Sequence, residues 1–192
     1  KKNVLVNYFH IPGMNDREAI AFLSTKVKEK YLAFSGDDDY FVPDSLELCA
    51  NFLNENLDYR TAQGRAYLYN YIFINNELKI NYIENYWKTN QILSDDVEKR
   101  LLDYSKNYFV TEFSVHRTNE FIEDVRQASK ISNRHFGEYY RCFNFIGKGK
   151  SKFIDCLYLM RTSHAKRGES NLSKTYYSHE DFIKSNSFKE SL

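Results

Sequence analysis

Three carboxylates stand side by side at Asp37, Asp38 and Asp39, between an apolar run and a proline in YLAFSGDDDYFVP. Adjacent carboxylates repel, so such a triplet either faces open water or has a positive partner. A hard divalent cation is one such partner, because it takes oxygen ligands and can in turn clamp phosphate oxygens. The apolar YLAFS reads as a buried strand, and ligands of open α/β sheets gather at the carboxyl ends of strands, where this triplet would lie. Taken alone, a DDD run reads more simply as a solvated turn or a helix cap.

Other residues could join such a site. Glu138 in FGEYY is either a proton acceptor or a carboxylate placed favourably near a helix N-terminus. Arg117, ending SVHR, could hold phosphate or acceptor charge bidentately, or pair with Glu112, Glu120 or Glu123. Lys148 lies in GKGKSK, a basic turn able to bind phosphate but without the Ser/Thr and helix arrangement of a P-loop. Gly64 in AQGRAY allows a close backbone approach to a ligand, or marks a strand bulge. Tyr86 and Trp87 could stack on a sugar or pack in the core. Asp155 lies in an apolar run, where burial would suit it as a base and an ion pair would explain it more simply.

The elements that must position these groups alternate in type. Residues 4–9, VLVNYF, predict a short strand, and MNDREAIAFLSTKVKEKYL has helical spacing with Asn15 or Asp16 as N-cap. Pro43 and Asp44 open a helix with Leu46, Cys49, Ala50 and Leu53 on one face. The alternating, aromatic-rich stretch around INNELKI predicts a hairpin. SDDVEKRLLDYSKN predicts a helix capped by Ser94 or Asp95. YFVTEFSVHR predicts a strand, TNEFIEDVRQASK and the middle of HFGEYYRCFNFIG helices, and SKFIDCLYLMR a strand. There is no internal repeat and no clear linker. The expectation is one α/β domain over residues 1–165, a mixed sheet flanked by helices, with a polar tail over 166–192.

Composition limits the partners. The 192 residues carry a formal net charge of +1 with 28% charged residues, which argues against a nucleic-acid-coating domain. Three cysteines without CxxC spacing fit free thiols in a reducing, cytoplasmic setting. No apolar run is long enough to span a membrane.

In its order of parts, the segment KYLAFSGDDDYFVPDSLELCANFLNENLDYRTAQGRAYLY resembles the centre of nucleotide-sugar glycosyltransferases of the GT-A type. A buried strand ends in a DXD-type motif, an aromatic and a proline-started helix follow, and a strand then leads into a glycine. EFSVHRTNEF is similar to a strand-to-helix junction of that family. GEYYRCFNFIGKGKSKFIDCLYLMRTSH resembles a stretch with an acidic residue, a Gly-Lys turn and a strand ending in Arg, here Arg161. The resemblance covers most of residues 20–168. Family members open with a nucleotide-binding segment headed by a P-T-x-N-R type stretch, and no such stretch stands in this sequence.

The resemblance implies a GT-A-like, Rossmann-related sheet and a Mn²⁺ or Mg²⁺ cofactor. Asp39 would ligate the metal with Asp37, and His164 would be a late metal ligand. Asp37 would also contact the donor ribose or sugar, with Asp38 assisting and Gly64, Arg117, Lys148 and Arg161 binding substrate. Glu138 would be the general base. The expected reaction moves a sugar from a nucleotide-sugar donor to a saccharide or glycolipid acceptor in surface polysaccharide or lipopolysaccharide synthesis. It would take place in the cytoplasm at the inner face of the membrane, with peripheral membrane association and no nucleic acid. The competing expectations are a metal-dependent nuclease or phosphatase using Asp37, Asp39, Glu138 and Lys148, and a non-catalytic binding module with a solvated acidic turn.

Overall fold

A computed structural model describes residues 5–163, apart from Lys88 and Ser132. Helix α1 (Asp16–Ser24) starts in a capping box, with the Asn15 side chain accepting from the Glu18 amide and the Glu18 carboxylate accepting from the Asn15 amide. It is shorter than the apolar spacing suggests. The Ser24 and Thr25 hydroxyls donate to the carbonyls of Ala21 and Phe22, and such side-chain bonds compete with a continuing helix. After β1 (Tyr31–Ala33) come the acidic turn, β2 (Asp39–Phe41) and α2 (Pro43–Glu55), with its proline in the first turn as expected.

The expected hairpin is β3 (Tyr59–Ile74) and β4 (Glu77–Asn85). Asn75 and Asn76 join them at φ 52° and 63°, the left-handed pair that a two-residue turn between twisted strands requires. Helix α3 (Val97–Lys106) is capped by Asp96, one residue beyond the expected Asp95. A 3-10 turn (Thr111–Phe113) leads to β5 (Val115–Arg117), α4 (Thr118–Ala128), α5 (Arg134–Lys148) and β6 (Lys150–Thr162).

Two expected strands differ. Residues 5–9 form no regular element, and only the last three residues of YFVTEFSVHR are strand. The physical reason in the second case is side-chain competition for the carbonyls. The Tyr104 hydroxyl donates to the Phe109 carbonyl and the Tyr158 hydroxyl to that of Phe113, so neither needs a neighbouring strand.

The strands form one curled mixed sheet in the order β1-β5-β3-β6-β2, with β4 paired to β3 outside that path. Only β3 and β6 run parallel; the other pairs are antiparallel. Helix α2 packs on β3, β5 and β6, while α5 packs on β3, α3 and α4. Cys49 and Leu53 of α2, Ala62 and Ala66 of β3, Tyr158 and Leu159 of β6, and Cys142 and Ile146 of α5 share the main core. Phe121, Val125 and Phe145 form a second cluster that seats α1. The fold is mixed α/β, and no helix among the described residues is long and apolar enough to cross a membrane.

Candidate functional site

The acidic triplet begins four residues after the end of β1, and its three carboxylates have different surroundings. Asp39 opens β2 directly across from Arg161 of β6. Its side chain is fully enclosed; Oδ1 accepts from Arg161 Nε at 3.0 Å and Oδ2 from the Gly36 amide at 3.3 Å. Asp38 is half-buried, and its carbonyl accepts from the Thr162 hydroxyl at 2.9 Å. Asp37 is exposed. The positive partner that the triplet demands is therefore present within the chain.

Glycine at 36 is what lets two carboxylates converge. A Cβ there would lie 3.0 Å from Asp39 Oδ2 and 3.1 Å from Asp38 Oδ1, filling the space between them. Asp37 and Asp38 present hard oxygen ligands beside this cradle. No group of three or more His, Cys, Asp or Glu able to hold a metal exists among the described residues. One or two carboxylates completed by substrate phosphates is nonetheless the usual way Mg²⁺ is held, and the residues here fit that pattern. Asp39, expected as the principal ligand, is instead the anchor of the turn, because Arg161 already neutralises it. His164 lies outside the described residues.

Arg161 extends the site away from the turn. Its Nη1 donates to the Tyr86 hydroxyl at 2.6 Å, and its guanidinium lies over the rings of Tyr86 (4.7 Å) and Phe113 (4.1 Å). Burial opposes its charge, but Tyr86 and Asp39 outweigh that and hold its pKa above the usual arginine range.

Tyr86 stands at the rim of a cleft of about 370 Å³, lined also by Trp87, Asn90, Asn107, Tyr108, Phe109 and Val110. A second cleft of about 400 Å³ shares Asn90, Asn107 and Phe109 with it and adds Thr89, Gln91, Ile92 and Asp103. Among the described residues neither is lined by Lys or Arg. Amides, hydroxyls and aromatic rings suit a polyhydroxylated ligand. Trp87 is a core residue here, 7% exposed and stacked on Tyr158, and it lines the cleft together with Tyr86.

Glu138 closes the set. The Tyr108 hydroxyl donates to Glu138 Oε1 at 3.0 Å. Burial, with help from Cys142 and Glu138, pushes the Tyr108 pKa far up, so the phenol stays protonated and remains a donor. Helix α5, which carries Glu138, is anchored by a buried ion pair between Arg141 and Glu112 of the 3-10 turn at 2.8 Å. Arg141 Nε and Nη1 and Glu112 Oε1 have no hydrogen-bond partner among the described residues. Burial raises the Glu112 pKa despite Arg141.

The remaining expected residues are drawn into the fold. Arg117 donates to the carbonyls of Leu53, Asn56 and Tyr59, closing the C-terminal end of α2, and pairs with Glu120 at 3.5 Å. Lys148 reaches Asp124 Oδ1 at 2.5 Å, on a carboxylate that Arg60 and Asn144 also hold. Neither offers the phosphate site expected of it. Gly64 sits in a register shift between β3 and β6, where a Cβ would meet the Cys156 carbonyl and Sγ at 2.6 Å; the close approach is to protein. Asp155 is 70% exposed and pairs with Arg65 at 2.6 Å. Sequence reasoning missed Tyr108, Asn90 and Asn107, which come from two separate loops and carry no local motif.

No protein-family model matches the chain, and a search of the curated proteins finds no match.

Proposed function

We propose that the chain is a metal-assisted glycosyltransferase domain of GT-A-like architecture. It would move a sugar from a nucleotide-sugar donor to a saccharide or glycolipid acceptor, at the cytoplasmic face of a membrane where surface polysaccharide is made. One observation carries this reading. Arg161 joins the acidic turn to Tyr86, which lines a cleft together with Tyr108, whose hydroxyl bonds Glu138.

Asp37 and Asp38 would hold Mn²⁺ or Mg²⁺, which when bound supplies positive charge to the departing diphosphate. Asp39 keeps the turn closed onto Gly36 and Arg161, so the other two carboxylates stay in place without reorganisation. The acceptor sugar would lie in the cleft, with its hydroxyls bonded by Asn90 and Asn107. Glu138 would take the proton of the attacking hydroxyl on Oε2, while Tyr108 fixes the carboxylate through Oε1. Engagement of Arg117 and Lys148 inside the fold counts against a nuclease, which needs cations for a phosphate backbone.

The test is thermal stabilisation of the full-length polypeptide by nucleoside diphosphates of different bases with Mn²⁺. At least one should raise Tm, and Asp38→Asn should abolish the rise. Indifference to every nucleotide would overturn the transferase reading.

A further inference from the structure

Beyond Tyr69, strand β3 leaves the body of the sheet. Its pairing with β6 ends at Tyr69↔Thr162, and among the described strands residues 70–74 pair with β4 alone. A two-stranded ribbon is marginally stable in water. This one also has an apolar face. The register opposes Tyr69 to Ile83, Tyr71 to Ile80 and Phe73 to Leu78, so these six side chains point the same way, and the three rings form a row with one tilted and one T-shaped contact.

Phe73 is 67% exposed, Leu78 and Ile80 58% each, and Ile83 53%. Together they leave on the order of 500 Å² of apolar surface bare, within the range of patches that mark interaction sites. Every residue of β4 is exposed, and its outer edge pairs with no described strand.

The geometry points to a second copy of this chain as the occupant, joined β4 to β4 in an antiparallel two-fold pair that makes one four-stranded sheet from two ribbons. The charges select this partner and its register. On the opposite face of β4 lie Glu77, Lys79 and Glu84, across from Ile74, Ile72 and Leu68. Pairing Ile80 with Ile83 of the second copy keeps apolar against apolar and sets Lys79 opposite Glu84 of the second copy, twice by symmetry. Sliding by two residues one way would oppose Glu77 to Glu84, and the other way would oppose Ile80 to Asn85.

The bulge makes the match. β4 has one extra residue, Asn81, between its pairs with Asn70 and Tyr71, which shifts the faces of 77–80 relative to 82–85. It thereby keeps Ile80 and Ile83 on one face, as this register requires. A lipid surface fits less well, because the ribbon offers one lysine against two glutamates and ends in the polar Asn75 and Asn76. The pairing satisfies the open main-chain groups of the β4 edge and sets the two apolar faces side by side as one surface.

Sedimentation of the full-length protein over a range of concentrations should give a dimer. Ile80→Lys should raise its dissociation constant at least about 100-fold with circular dichroism unchanged. Lys79→Glu, a surface change that keeps the fold, should raise it about tenfold, and Lys79→Glu with Glu84→Lys should restore it. A monomer at all concentrations would overturn the proposal, as would a dimer indifferent to Ile80→Lys or a charge swap that fails to rescue. Binding of the monomer to anionic phospholipid vesicles, lost in Ile80→Lys, would assign the face to a membrane and also overturn it.

Discussion

Asp39 and Asp124 are both aspartates whose side chains are closed off from water and paired with arginine, yet they sit in contrasting places. Asp124 is saturated by Arg60, Lys148 and Asn144 between helices α4 and α5, and those cations reach on only to Glu120 and Glu123 of α4. Asp39 has one arginine, and that arginine passes on to Tyr86 at the edge of a cleft, while Asp37 beside it is exposed. A buried ion pair alone does not mark a site. What separates the two is whether the charge network reaches a cavity.

The largest effects should fall on the cleft side of that comparison. In an assay of sugar transfer from a nucleotide donor, Glu138→Gln should lower turnover by about 1,000-fold, the loss expected of a general base. Asp38→Asn should cost on the order of 100-fold and be partly relieved by raised metal concentration. Lys148→Met should leave turnover unchanged while lowering Tm. Loss of transfer in Lys148→Met with Tm intact would erase the distinction between the two networks.

Arg60→Met addresses the other side. It strips the principal cation from a carboxylate with no exposed surface, and breaking a buried pair of this kind typically costs about 3 kcal/mol. Urea denaturation should show that loss as a lower midpoint at unchanged m-value. A loss near zero would mean that Lys148 and Asn144 suffice and that the cluster is less tightly built than its contacts indicate.

Much of the architecture was legible because it rests on local chemistry. The N-cap of α1 at Asn15, the Pro43 start of α2, and the paired asparagines of the hairpin each have a short-range cause. The strand expected across residues 108–117 failed because its carbonyls are taken by Tyr104, which is near in sequence, and by Tyr158, which is not. The same reason explains the site. An acidic turn after an apolar strand can be read from adjacent letters. That Asp39 belongs to Arg161, and Arg117 to the carbonyls of α2, depends on contacts across more than sixty positions that no spacing rule encodes.

A pH measurement separates structural from catalytic titration. His116 is buried against Phe121 and Phe145, and burial lowers its pKa from 6.5 to about 4. Above pH 6.5 the imidazole is neutral in both folded and unfolded chains. As pH falls from 6.5 towards 4, only the unfolded chain takes up the proton, so stability should fall by about 1.4 kcal/mol per unit and level off below. His116→Gln should flatten that slope. Asp58 and Asp155, held below the usual carboxylate range by Lys150 and Arg65, act only at lower pH. Glu112, raised by burial, takes up its proton in the folded chain and opposes this slope, so the reading is the difference between the parent and His116→Gln.

The smallest effect is the most useful control. Asp155 resembles Glu138 in sequence, an acid set among apolar and aromatic neighbours, but its side chain is open to solvent and its partner Arg65 is half exposed. An exposed pair of this kind gains little, because solvent screens it and both side chains lose freedom in forming it. Asp155→Asn should therefore shift Tm by no more than about 1 °C and leave sugar transfer untouched. Loss of transfer with Tm unchanged would move the base from α5 to β6. The cleft beside Tyr108 would then have no role in proton transfer, and enclosure would no longer distinguish a working carboxylate from a solvated one in this molecule.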